Sequence, residues 1–120
     1  MNFAAKISVA LLAATASAYA ANDMFTNLYS NTLVYTFPDK TVSKVLASKD
    51  GTWTSTSTDT KHPTNSGQWA NVGGWLCSTA ESTPKSKPWC RKAKAHAIGD
   101  KWTEARPDGS VVQVTLVAGR

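Results

Sequence analysis

The sequence is poor in the residues that most directly announce chemistry. It has two cysteines, two histidines and eight acidic residues against thirteen Lys and Arg, a net charge of +5 over 120 positions. There is no second cysteine pair and no histidine at ligand spacing, so no metal site is expected. No serine sits in a nucleophile elbow, and no Gly-rich loop has the spacing that cradles phosphate. Glu104 is the only glutamate near the expected core, which leaves no carboxylate pair for glycoside hydrolysis. His62 lies in a loop with Pro63 and Asn65, and His96 could form a carboxylate dyad only with Asp100 in the following turn. A non-enzymatic protein without cofactor is expected, and no specific nucleic-acid motif is present.

Long hydrophobic runs are equally scarce. Lys6 precedes an apolar stretch from Ile7 to Ala16, about ten residues, which suits a secretory signal and is too short to cross a bilayer. Ala18-Tyr19-Ala20 has the small-x-small form of a cleavage site. Residues 1–20 are therefore expected to be a signal peptide and 21–120 a single domain without a transmembrane segment. Over the full 120 residues, the 42% hydrophobic and 9% aromatic content exclude a disordered chain. Export, to the periplasm or the extracellular space, would place Cys77 and Cys90 in an oxidising compartment, where one structural disulfide is expected. Closing a loop of about 14 residues contributes on the order of 3 kcal/mol.

What is present is strand punctuation. Residues 32–37, 41–47, 52–58, 68–72, 75–79, 89–97, 101–106 and 110–118 carry β-branched and aromatic residues. They are broken by Pro38-Asp39-Lys40, Lys49-Asp50-Gly51, Gly73-Gly74, Gly99-Asp100 and Pro107-Asp108-Gly109. Residues 59–67 read as a loop, and 22–30 as a short helix or irregular lead-in. The expected fold is all-β: an antiparallel meander of about seven short strands forming a small barrel or sandwich, with one disulfide.

Turn lengths then give faces. A two-residue loop at Gly99-Asp100 sets Ala97 opposite Trp102. A three-residue loop at residues 107–109 sets Trp102 opposite Val114 and Glu104 opposite Val112. The expected core is Trp89, Ala93, Ala95, Ala97, Trp102, Val112, Val114 and Leu116, with Glu104 at a rim and Cys90, Lys92, Lys94 and His96 on the wet face. If Cys77 faces Cys90, Trp75 faces Lys92 on that outer surface and Leu76 points inward.

The densest charge run is residues 85–94, with Lys85, Lys87, Arg91, Lys92 and Lys94 and no acid. With Trp75 beside them, these residues are the candidate binding site for an anionic envelope component: a polysaccharide, a lipid head group or an envelope protein. The alternatives are a small barrel holding an apolar ligand inside, for which inward tryptophans are suited, and a protein-interaction or inhibitor module.

The order of landmarks carries a resemblance. Asn31-Thr32-Leu33, Asp50-Gly51-Thr52-Trp53, Gly67-Gln68-Trp69, Gly74-Trp75-Leu76-Cys77, Pro88-Trp89-Cys90, Gly99-Asp100-Lys101-Trp102-Thr103, Asp108-Gly109-Ser110 and Leu116-Val117-Ala118-Gly119-Arg120 cover most of residues 21–120. In this order they resemble small exported proteobacterial proteins of unknown function. The resemblance implies a compact, lipocalin-like β fold and a periplasmic location, and it brings no catalytic residues.

Overall fold

Eight segments alternate inward and outward side chains, and each pairs antiparallel with its neighbours. In a computed structural model, which describes residues 24–82 and 87–120, they are β1 (Thr32–Thr36), β2 (Val42–Ala47), β3 (Thr52–Ser57), β4 (Thr64–Val72), β5 (Trp75–Ala80), β6 (Trp89–Lys92), β7 (Lys101–Ala105) and β8 (Val111–Val117). The expected signal peptide and Lys85 lie outside the described residues. The strand order is β6-β5-β4-β3-β2-β1-β8-β7, so the first strand pairs with the last and the sheet curls into a nearly closed barrel. Its two edges, β6 and β7, face each other without a backbone ladder.

Turn chemistry repeats around the barrel. Asp39, Asp50 and Asp108 each accept hydrogen bonds at Oδ1 from the backbone N–H and the hydroxyl of the residue two positions on, Thr41, Thr52 and Ser110. Those bonds hold all three carboxyls below the ordinary aspartate value of 3.8. Gly73 and Gly74 both take positive φ, as a two-residue hairpin loop requires.

The core gathers where β1 and β8 meet. Val112, Val114 and Leu116 are fully buried and pack with Leu33, Tyr35 and Ala47. The expected pairings Trp102 with Val114 and Glu104 with Val112 are present, and Trp89, Ala93 and Trp102 pack against the core, partly buried. One end of the barrel is closed by the lead-in to β1. A single 3-10 turn, Thr26–Leu28, buries Phe25 and Leu28, and Phe25 meets Trp69 edge-on at 5.2 Å. The last residue fastens this closure: the Arg120 guanidinium donates to the carbonyl oxygens of Leu28, Asn31 and Ala47.

Three expectations need correction. Residues 64–67 are the start of β4 and pair with β3, not part of a loop. The strand expected over 89–97 ends at Lys92, and no hairpin ladder joins it to β7. The chain instead crosses the closed end as a strap over 93–100, held there by the Asn27 amide, which donates to the His96 carbonyl, and by the Gly99 N–H, which donates to the Leu116 carbonyl. Ala95 and Ala97 are therefore exposed on the strap rather than in the core. Finally, Glu104 is not at a rim; its side chain is inside the barrel.

Candidate functional site

Antiparallel connectivity sorts the turns into two ends. Those over 37–41, 58–63 and 106–110 gather at one end, the mouth, together with residues 81–82 and 87–88. Those over 48–51, 73–74 and the strap gather at the other, with the lead-in to β1. Between them lies a cavity of about 440 Å³, open to solvent at the mouth. Its walls are mostly apolar: Leu33, Tyr35, Val45, Trp53, Leu76 and Trp89 face it, and Leu28 and Trp69 form its floor. Small inward residues make the room, namely Ser43, Ala47, Ser55, Ser78 and Ala80.

Trp53 owes its position to a glycine. Trp53 is the cross-strand partner of Gly67, and its indole Nε1 donates to the Thr79 carbonyl at 3.0 Å. A Cβ at Gly67 would stand 1.8 Å from that same oxygen and 2.8 Å from the indole ring. Only glycine leaves the ring free to lie across β4.

The gap between β6 and β7 is bridged by side chains. Trp89 Nε1 donates to the Ala105 carbonyl at 2.9 Å, and Arg91 Nε lies 3.3 Å from Glu104 Oε1. Both charges are largely withdrawn from water, their side chains 14% and 10% exposed. Arg91 Nη1 also donates to Ser78 Oγ at 2.8 Å and to the Trp89 carbonyl, and its guanidinium stacks 3.9 Å over the Trp89 ring. Glu104 Oε2 accepts from Trp102 Nε1 at 2.8 Å. The Nε–Oε1 contact itself lacks hydrogen-bond geometry, so the two atoms face each other as charges only. Tyr35, whose hydroxyl lies 3.4 Å from Arg91 Nη2, has its pKa pushed up to about 12 by burial.

Outside this pair, His96 stacks on Trp102 with centroids 3.4 Å apart and planes 4° from parallel. Burial against the indole lowers its pKa from 6.5, although Asp100 Oδ2 lies 3.6 Å from Nδ1 and acts in the opposite sense. The His96–Asp100 pair thus exists, but that same carboxylate oxygen accepts from the Ala97 N–H and ties the strap. Among the described residues no group of three or more His, Cys, Asp or Glu could hold a metal ion, and no helix is long and apolar enough to cross a membrane.

The sequence-derived site residues do not form one surface. Trp75 faces Lys92 as expected, beside the Cys77–Cys90 disulfide, whose Cα atoms are 4.0 Å apart. Lys94 is exposed on the strap at that same end. Lys87 sits at the far end of β6, where it lines the mouth. Arg91 departs most from expectation: it alternates inward with Trp89 and is committed to Glu104. The cavity-facing role of Trp53 and the place of Trp69 were not read from sequence, although the small residues at 43, 55, 67 and 80 signal a roomy interior once β2–β5 are aligned. Comparison with known proteins finds no family model, curated protein or solved structure that matches this chain.

Proposed function

We propose that this protein is a non-enzymatic binder of a small, mainly apolar molecule, held inside the barrel and admitted at the mouth. The observation that carries the reading is the open cavity of about 440 Å³, walled by aromatic and aliphatic side chains; pockets for small ligands run from about 300 to 1,000 Å³. Hydroxyls of Ser43, Ser55 and Ser78 in the lining suit a ligand with a hydrogen-bonding group beside its apolar body. Lys87, Arg106 and Asp108 at the mouth keep the entrance wet. The disulfide supports a working place in an oxidising compartment, the periplasm or the outside of the cell.

Titration with a neutral apolar dye such as N-phenylnaphthylamine tests this. Binding should saturate at one site, with energy transfer from the cavity tryptophans. Ser55→Leu and Ala80→Leu, which fill the interior, should each weaken it at least tenfold while circular dichroism stays unchanged. Dye binding that does not saturate, or that both filled variants retain in full, would end the proposal.

A further inference from the structure

The closed end of the barrel carries a second feature, independent of what the cavity holds. Cross-strand pairing sets Val72 opposite Trp75 and Trp75 opposite Lys92, so the three share one row on the outer face of β4, β5 and β6. Val72 and Trp75 are 52% and 50% exposed, and Ile98, on the strap at this end, is 52% exposed. Five large apolar side chains are exposed among the described residues, and these are three of them. Lys92 is exposed in the row; exposed Lys49 and Lys94 belong to the turns and strap of the same end, where exposed Lys101 opens β7. Among the described residues, the aspartates of the turns at this end are engaged locally: Asp50 accepts from Thr52 and Asp100 from the Ala97 N–H.

An indole with aliphatic neighbours, surrounded by amines on flexible stems, matches a bilayer interface. Tryptophan settles at head-group level, apolar side chains enter the acyl boundary, and lysines meet anionic phosphates. The disulfide joins the next pair along the same face, Cys77 with Cys90, and fixes the β5–β6 register that presents the row. We propose that this end of the barrel docks on an anionic lipid surface through Val72, Trp75, Ile98, Lys92 and Lys94. Docked this way, the mouth points away from the membrane into the aqueous phase.

The test is sedimentation of the protein, as recovered from its producing cells, with vesicles of phosphatidylcholine alone or mixed with phosphatidylglycerol. Binding is expected only to the mixed vesicles and should weaken with salt. At about fivefold per lysine, K92Q/K94Q should lose roughly twenty-fivefold in affinity, and Trp75→Ala about tenfold. Bromine-labelled acyl chains should quench the wild-type tryptophan emission and quench it less in Trp75→Phe. Equal binding to neutral vesicles, unchanged binding by both variants, or retention on an anionic polysaccharide with no vesicle binding would each overturn the proposal.

Discussion

The pair between Arg91 and Glu104 is the sharpest place to test how the barrel is held shut. Glu104→Gln keeps an oxygen for Trp102 Nε1 and nearly the same volume, but leaves the Arg91 guanidinium without its counter-charge. Removing one partner of a buried pair costs about 3–5 kcal/mol. At 14% and 10% side-chain exposure some solvent relief remains, so the lower end, about 3 kcal/mol, is expected. For a domain of this size that is a fall in Tm of roughly 12–24 °C. Urea unfolding followed by circular dichroism, with the disulfide intact, gives the number. The companion double variant R91M/E104L should recover most of the loss, because an apolar pair of similar volume avoids the desolvation of both charges. A Glu104→Gln loss below about 1 kcal/mol, as for an exposed pair, would show that the charges do not hold the edges together.

Gly67→Ala should destabilise by about 2–3 kcal/mol, since its Cβ meets backbone and the Trp53 ring and the strands must part to admit it; a wild-type urea midpoint would remove glycine from the account of Trp53. Stability should also fall in two acid steps. Burial lowers the His96 pKa, so the unfolded chain takes up the proton first: its contribution is complete above 6.5 and declines as pH drops through that value. His96→Gln should abolish that step in a Tm-against-pH series. A second decline belongs to Asp39, Asp50 and Asp108, whose turn bonds contribute above the ordinary value of 3.8 and are lost as pH falls through their lowered values.

Much of the fold was legible because its determinants are local. The Gly73-Gly74 loop and the Asp-initiated turns fix hairpins within a few residues, and the Cys77–Cys90 pair fixes Trp75 against Lys92. What was not legible depends on closure between distant segments. The Asn27 amide on the His96 carbonyl and the Gly99 N–H on the Leu116 carbonyl hold 93–100 across the closed end as a strap, and Ala95 and Ala97 are exposed on it. Arg91 illustrates a signal present but outweighed. Period-two alternation from Trp89 points it inward, and Glu104 lies on the same inward face, yet a cation in a lysine-rich run was assigned to solvent. The cavity enters the sequence reading only as an alternative, since its volume depends on how far the two edges approach.

The position of the unladdered gap has a consequence for assembly. In a chain that emerges amino end first, β2 through β6 can zip up as successive hairpins, while β1 keeps one flank bare. That flank is covered only once residues 111–117 have appeared, so the interior stays exposed to water until β8 is available to close it.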